Sequence, residues 1–251
     1  MYKRQDDLNT IWENWIKAPD QENPIGLVLL MEGAEGLGNI KSLEEWYHAG
    51  LRIVGPVWAG TRYCGGSYEG GGFTDEGRQL LEVMADMKFG LDLSHMTEQS
   101  TLEALDRYEG VVFATHANSR KLISGAYGER NFTDDTIRRL AEREGVMGVL
   151  PLNRFLVPNW TNSSPRDKVS LNHLVDHIDY ICQLTGSSQH VAIGTDFDGG
   201  FGYPAIPNEL NSIAEIQTLG TILENRGYLS DDIEAIFGLN WKRILERILS
   251  A

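Results

Sequence analysis

The sequence is poor in cysteine and has no long apolar run. Its 251 residues include only two cysteines, Cys64 and Cys182, which lie far apart and outside any C-x-x-C spacing. This spacing excludes a disulfide framework and a zinc knuckle. No apolar run approaches the roughly 18 residues of a membrane span, and the start, MYKRQDDLNT, lacks the apolar region of a signal peptide. We therefore expect a cytoplasmic protein without a membrane span.

Positive charge is also scarce. Lys and Arg number 22 against 36 Asp and Glu, which gives a formal net charge of -14. Nucleic-acid phosphates would be repelled and no basic patch offsets this, so the balance argues against a nucleic-acid partner. The acidity itself is typical of solvated helix faces. A homodimer is compatible with the sequence.

Short apolar strands alternate with amphipathic helices along the whole chain. Strands are predicted at residues 25–31, 51–57, 89–93, 111–115, 146–150 and 190–195. Helices are predicted at residues 8–16, 43–48, 76–87, 98–108, 134–144, 171–184, 210–226 and 230–249. The alternation predicts an α/β fold of the (β/α)8 TIM-barrel type, in a single domain over residues 1–251. Only six of the eight strands can be read, so the barrel is predicted to be incomplete, with its first two strands missing.

Four of these strands end on a residue that can bind a metal or move a proton. The four are Glu32 in LLMEG, His95 in LDLSH, His116 in VFATH and Asp196 in AIGTD. In α/β barrels the active site lies at the carboxyl ends of the strands, so these side chains are predicted to share one rim. A lone histidine at a strand end is more often structural. Four such residues in chain order favour a catalytic site.

Two histidines and one carboxylate suit a catalytic zinc site. Imidazole and carboxylate both bind Zn²⁺ and leave room for a water whose pKa the metal lowers. We predict Glu32, His95 and His116 as the ligands, although the same set also suits non-haem Fe(II). Asp196 can take a proton from such a water and pass it to a leaving amine. Asp198, in the same GTDFDGG sequence, competes for that role.

Two irregular segments follow strands on the face that carries these residues. Residues 60–73 are rich in glycine and aromatic residues, and residues 155–168 contain Pro158, Trp160 and Pro165. Long loops on this face of a barrel usually shape the substrate pocket. The remaining histidines, at positions 48, 173, 177 and 190, are predicted to be structural.

Six motifs together resemble the membrane dipeptidase family of zinc peptidases. They are MEGAE at 31–35, DLSH at 92–95, TH at 115–116, ERNFTDD at 129–135, DHIDYICQLTG at 176–186 and IGTDFDGG at 193–200. The resemblance covers essentially the whole chain. It implies a zinc-dependent dipeptidase that hydrolyses small dipeptides with a metal-activated water.

The resemblance also implies a role for each of five residues. Glu32 is similar to the glutamate that bridges two zinc ions, and His95 and His116 are similar to the paired histidines on one of them. Arg130 resembles the arginine that binds the substrate's terminal carboxylate, and Asp196 resembles the acid-base aspartate. Arginine suits that task because its planar guanidinium meets a carboxylate with two hydrogen bonds. From the residues alone, Arg130 could equally be a surface residue at a helix entry.

The chain departs from the family pattern at two places. The family's first strand ends on a His-x-Asp pair, and no strand ending on such a pair can be read before Ile25. Trp58 stands where a second family histidine is expected. The missing pair and missing strands indicate a family member that lacks its N-terminal portion and keeps ligands for one zinc ion instead of two. The alternative to a dipeptidase is therefore a catalytically impaired remnant that binds one metal or a small ligand.

Overall fold

The chain packs as two compact units in the computed structural model, which describes residues 4–19, 21–123 and 130–250. The first unit comprises residues 1–112 and 242–251, and the second comprises residues 113–241. Among the described residues, no helix is long and apolar enough to cross a membrane.

The first unit is built on a parallel sheet. Its first three strands are β1 (Leu29–Glu32), β2 (Leu51–Gly55) and β3 (Gly90–Asp92), and they pair in that order in parallel. The fourth strand in the sheet order, β4 (Val112–Phe113), begins at the last residue of this unit before the chain enters the second. The helices are α1 (Gln5–Lys17), α2 (Leu43–Ala49), α3 (Asp75–Asp86) and α4 (Glu98–Arg107).

Local sequence sets where these helices begin and end. Thr74 precedes α3 and Thr97 precedes α4, and each threonine side chain accepts a hydrogen bond from a backbone N–H of the helix's first turn. Gly50 ends α2 with a φ of 110°, a conformation that glycine adopts without steric cost. The strand β2 is buried along its whole length, as expected for a central strand between helix layers.

The second unit contains a second pair of parallel strands. Strand β5 (Met147–Val149) pairs with β6 (Val191–Ile193), and Ala114, just after β4, forms a parallel bridge with Met147. The helices of this unit are α5 (Asp134–Glu142), α6 (Leu171–Thr185), α7 (Thr218–Asn225) and α8 (Ser230–Glu234). A π-helical segment, Ala235–Leu239, leads from α8 into α9 (Asn240–Leu249), and from Lys242 onward the residues of α9 belong to the first unit.

Three predicted elements differ most from the structure. Strand β1 begins at Leu29 and not at residue 25, and Ile25 and Leu27 are exposed. The helix predicted at 210–226 begins at Thr218, because Ser212 and Glu215 form a capping box that starts a separate 3-10 turn. The helix predicted at 230–249 is divided by the π segment, which is typical of a one-residue widening inside a longer helix.

The predicted α/β class with parallel strands is confirmed. The described residues contain the six predicted strands, each shorter than the sequence pattern indicated. Closure into an eight-stranded barrel, and the single-domain organisation, stay predictions.

Candidate active site

In the first unit, the ends of β1 and β3 bring a carboxylate and an imidazole together. Glu32 is the last residue of β1, and His95 lies in the turn after β3. The Nε2 atom of His95 is 2.9 Å from Oε1 of Glu32. The imidazole is largely buried while the carboxylate is about one-third exposed, so the pair opens to solvent on the carboxylate side. A carboxylate and an imidazole nitrogen at this separation are suitable as two ligands of a zinc ion.

The turn that carries His95 is held by its own side chains. The carboxylate of buried Asp92 accepts hydrogen bonds from the backbone N–H and the hydroxyl of Ser94, at 3.0 and 2.7 Å. His95 itself has a φ of 68°, in the left-handed region, which costs a non-glycine residue about 1 kcal/mol or more. Such a conformation persists where the surrounding contacts impose it, and here it directs the imidazole toward Glu32.

The glycine-rich segment 60–73 contributes the neighbours of His95. The hydroxyl of Ser67 lies 2.8 Å from Nδ1 of His95, and the half-exposed indole ring of Trp58 lies beside the imidazole, with ring centroids 5.6 Å apart. Tyr68 in turn packs against Trp58, with ring centroids 5.4 Å apart. Trp58 is therefore an aromatic neighbour of the candidate ligand His95.

Replacing Ser67 by alanine is expected to weaken metal binding at His95 about 10- to 100-fold, as loss of an outer hydrogen bond to a metal-binding histidine typically does. With a metal ion on Nε2, Nδ1 would carry the proton and donate a hydrogen bond to the hydroxyl oxygen of Ser67. Dissociation constants for Zn²⁺ as the probe metal, from competition with a chromophoric chelator, would measure the change. Ser67→Thr, which retains the hydroxyl, should recover much of the affinity. Ser250→Ala, at an exposed serine, is the control; equal affinities in all variants would contradict this role.

In the second unit, His116 and Asp196 lie near each other. His116 follows β4, is almost fully buried, and has its Nδ1 atom 2.9 Å from the hydroxyl of Thr115. Its Nε2 atom is 4.0 Å from Oδ2 of Asp196, which follows β6 and is about one-quarter exposed. A histidine nitrogen and a carboxylate at this distance can act on the same small molecule.

Two glycines allow the strands behind this pair to approach closely. A Cβ atom on Gly194 would lie 2.0 Å from the carbonyl oxygen of Thr115, and one on Gly148 would lie 2.1 Å from the same oxygen. Real side chains cannot occupy that space, so only glycine permits this packing. Because Thr115 precedes His116 and Gly194 lies two residues before Asp196, the close approach sets the spacing of the candidate pair.

The turn after β6 holds Asp196 in a specific conformation. Asp196 and Asp198 have φ values of 48° and 69°, which aspartate tolerates better than most residues. The N–H of Gly199 donates to the carbonyl of Asp196 at 2.9 Å. A Cβ atom on Gly199 would lie 2.0 Å from Oδ1 of Asp196, so this glycine leaves room for the carboxylate. Asp198 is exposed.

Arg130 contacts the loop that carries His116. Its Nη2 atom donates to the carbonyl oxygen of His116 at 3.0 Å, and its guanidinium carbon lies 5.8 Å from the ring centroid of Phe155. The side chain is partly buried, unlike the surface residue that the sequence alone left open. Glu129, the one residue of the ERNFTDD motif before Arg130, lies outside the described part of the chain.

The single His-x-Asp of the sequence, His177-Ile178-Asp179, is not a ligand pair at a strand end. It lies in α6, where residues two apart point in different directions. His177 is fully buried and accepts a hydrogen bond from the backbone N–H of Ser119, and burial lowers the pKa of this imidazole to about 4. Asp179 binds Arg226 and Tyr228. His177 is therefore a neutral structural residue, as predicted.

Neither cysteine is an activated thiol. Burial raises the pKa of the Cys64 thiol to about 12 and that of Cys182 to about 11. The thiolate, which is the metal-binding form, is therefore scarce at neutral pH.

The predicted site residues thus fall into two groups, each inside one unit. The structure brings Glu32 to His95 in the first unit, and His116 to Asp196 in the second. Sequence reasoning missed Ser67, which lies in the segment singled out only for its glycines and aromatic residues. Its hydroxyl carries no local signal of a partner 28 residues away.

The whole chain matches a known protein family. The model of the family described as membrane dipeptidase, peptidase family M19, matches residues 3–251. A Klebsiella pneumoniae protein described as uncharacterized, from the pqqA 5′ region, is 31% identical over 238 residues, which are 91% of this chain and 84% of that protein. Dipeptidase tcpJ of Claviceps purpurea is 26% identical over 223 residues, which are 86% of this chain and 49% of that protein.

Two solved structures are also similar. One, the crystal structure of a metallopeptidase described as dipeptidase AC of family M19, has a TM-score of 0.79 and 27% identity, over 89% of this chain and 66% of that one. The other, a metallopeptidase from Rhodobacter sphaeroides, has a TM-score of 0.77 and 26% identity, over 88% of this chain and 63% of that one. This chain spans about half the length of several curated relatives that it matches.

Proposed function

The chain belongs to the membrane dipeptidase family of metallopeptidases, and from this premise we propose that it hydrolyses small dipeptides with zinc as cofactor. The observation that carries the proposal is the 2.9 Å contact between Glu32 and His95 at the ends of two parallel strands. A carboxylate and an imidazole held together at that edge are suited to bind a metal and have no evident role in a core.

The proposed zinc ligands are Glu32, His95 and His116. Each lies at or just after the carboxyl end of a parallel strand, and each offers a nitrogen or a carboxylate oxygen, the donors that zinc accepts. Thr115 and Ser67 lie at the Nδ1 atoms of the two histidines, which leaves Nε2 of each ring as the metal-binding atom. Three protein ligands are the usual number at a catalytic zinc ion, which keeps one position for water or substrate.

The remaining polar residues supply the proton transfer and the orientation of the substrate. Zinc, when bound, supplies a Lewis acid and lowers the pKa of a bound water. Asp196 is proposed to accept the proton of the attacking water at its carboxylate and to deliver it to the leaving amine. Arg130 is proposed to bind the terminal carboxylate of the dipeptide, because its guanidinium can donate two parallel hydrogen bonds.

A dipeptide of alanine is the first substrate to test. The related Rhodobacter sphaeroides metallopeptidase was crystallised with a phosphinate mimic of the dipeptide L-Ala-D-Ala. A dipeptide offers the free terminal carboxylate that Arg130 would bind and an amide that the proposed zinc site would polarise. Assays of both L-Ala-L-Ala and L-Ala-D-Ala would measure which stereochemistry is accepted at the second residue.

The test is metal analysis combined with a hydrolysis assay on the same preparation. Protein purified without added metal is expected to contain zinc, to hydrolyse alanine dipeptides, and to lose activity on chelation and recover it with zinc. If iron is the only metal found, the result would support the alternative, a mononuclear iron site in place of zinc. Absence of any tightly bound metal would overturn the proposal.

The second candidate function is an impaired remnant that binds one metal. It differs from the dipeptidase in predicting no dipeptide turnover. It is favoured by Trp58, which occupies the place of an expected family histidine and packs against His95 instead. Glu32, His95 and His116 suffice for one zinc ion, and a second ion would need further ligands. One zinc ion bound tightly per chain without dipeptide turnover would support the remnant.

A further inference from the structure

A cavity of about 350 Å³ lies in the second unit, beside the turn that carries Asp196. One wall follows β5 and includes Leu152, Arg154 and Trp160, and the other is the segment 200–205 that follows β6. Its volume is suitable for one amino-acid side chain or a molecule of similar size. Loops at the carboxyl ends of neighbouring parallel strands are a common location for substrate sites.

The two walls of the cavity are tied together, so the cavity is preformed. The side chain of buried Asn153 donates to the carbonyl oxygen of Ile206 at 3.1 Å. Arg166 donates to the carbonyls of Ile206 and Pro207 at 3.0 and 2.7 Å, and its guanidinium stacks on the ring of Tyr203. These bonds link the segment after β5 to the segment after β6. A cavity held in this way does not have to be ordered by the ligand.

The side chains that line the cavity favour an anion. Among its lining residues in the described part of the chain, Arg154 is the one charged side chain and Asn162 the one other amide or hydroxyl side chain, and none is acidic. Trp160 and Phe201 supply apolar surface around them. The Nε atom of Arg154 is buried, and its guanidinium carbon lies 5.2 Å from the ring centroid of Phe155. The buried Nε atom and the neighbouring Phe155 ring therefore limit the positions that the Arg154 side chain can adopt in the cavity lining.

A cationic cavity is notable in a chain with a net charge of -14. Most of the surface would repel an anionic substrate, so a local guanidinium among apolar groups can select for a carboxylate. The same β6 loop places Asp196 four residues before the first cavity residue, Gly200. The cavity and the proposed acid-base group thus belong to one continuous turn.

We propose that this cavity is a specificity pocket in which Arg154 binds the side-chain carboxylate of an aspartyl- or glutamyl-containing dipeptide. The inference rests on the proposed function and deepens it by naming the substrate class. Arg154 acts here as a specificity residue, since the side-chain carboxylate is remote from the amide that is cleaved.

The first test compares matched acidic and neutral dipeptides. The value of kcat/KM is measured for Ala-Glu against Ala-Gln, and for Glu-Ala against Gln-Ala. One of the two pairs is expected to favour the acidic member by about 10- to 100-fold, the range of a charge-assisted hydrogen bond. Arg154→Gln should reduce this ratio toward one, Arg154→Lys should retain part of it, and Arg138→Gln, at an exposed arginine of α5, should leave it unchanged. Two results would overturn the pocket. One is equal kcat/KM for the acidic and neutral dipeptides in the wild type, and the other is an Arg154→Gln variant in which kcat/KM falls equally for both.

A binding measurement separates failure of the pocket from failure of the proposed function. Calorimetry with glutarate and with its neutral analogue glutaramide needs no turnover. Glutarate is expected to bind the wild-type protein and to bind Arg154→Gln at least about 10-fold more weakly, with glutaramide weak in both. If no dipeptide is hydrolysed but glutarate binding depends on Arg154, the proposed function fails and the anion pocket stands. Glutarate binding that is equal in both proteins, or absent, overturns the pocket.

Discussion

Asp196→Asn is expected to reduce kcat/KM for alanine dipeptides by about 10²- to 10⁴-fold, because asparagine cannot accept a proton and proton transfer typically contributes that factor. The carboxylate lies 4.0 Å from Nε2 of His116, within reach of a molecule bound at that histidine. Asparagine tolerates the left-handed φ of 48° as well as aspartate does, so the turn should keep its conformation. The loss should therefore appear in turnover, with unchanged metal content and thermal midpoint.

Asp198→Asn provides the matched control for this experiment. Asp198 is exposed, lies two residues further along the same turn, and also has a positive φ, so the substitution makes the same chemical change in the same backbone context. Its activity should stay close to that of the wild type. Loss of turnover in Asp198→Asn together with retained turnover in Asp196→Asn would transfer the proposed acid-base role to Asp198.

Gly194→Ala is expected to lower the free energy of unfolding by about 3 kcal/mol or more, at the upper end of overpacking effects. The added methyl group would lie 2.0 Å from the carbonyl oxygen of Thr115 and 3.0 Å from the Cα atom of Gly148. Both contacts are with backbone, which cannot rotate away as a side chain could. A loss of this size is a large fraction of the 5–15 kcal/mol that stabilises a typical domain. Urea unfolding followed by circular dichroism would measure it.

Gly220→Ala is the control, and the opposite sign is expected. Gly220 lies inside α7, and its nearest neighbours are atoms of the Phe237 ring at 3.9 Å and beyond, which is ordinary contact. Replacing a helical glycine by alanine should raise the free energy of unfolding by about 0.5–1 kcal/mol. Similar effects of the two substitutions would show that the strands around Thr115 can separate without cost.

Both candidate residues at the turns after β3 and β6 adopt left-handed backbone conformations. His95 and Asp196 have φ values of 68° and 48°, and each such conformation costs about 1–3 kcal/mol that neighbouring contacts must offset. Asp92 and Ser94 provide these contacts for His95, and the glycines after Asp196 provide the space for its turn. The local strain is consistent with residues placed for chemistry, because a purely structural turn could use glycine at these positions.

The sequence by itself determined the order of the strands and helices and the identity of the residues at the strand ends. Apolar runs, Thr74 and Thr97 at helix starts and Gly50 at a helix end are local signals, since each acts on backbone within a few residues. The same locality explains why helix α7 was predicted too long: its apolar pattern continued through the Ser212 cap. Strand ends were less accurate, because pairing with a neighbour decides where a strand begins, as it does for β1 at Leu29.

The tertiary structure alone decided which side chains meet. The contact of Ser67 with His95 spans 28 residues, and that of His177 with the backbone of Ser119 spans 58; neither leaves a periodic pattern in the sequence. The sequence does not show why positions 148 and 194 require glycine, and only the approach of the Thr115 carbonyl shows that no side chain fits there. Contacts between distant residues depend on packing of whole elements, a property that no local stretch of sequence specifies.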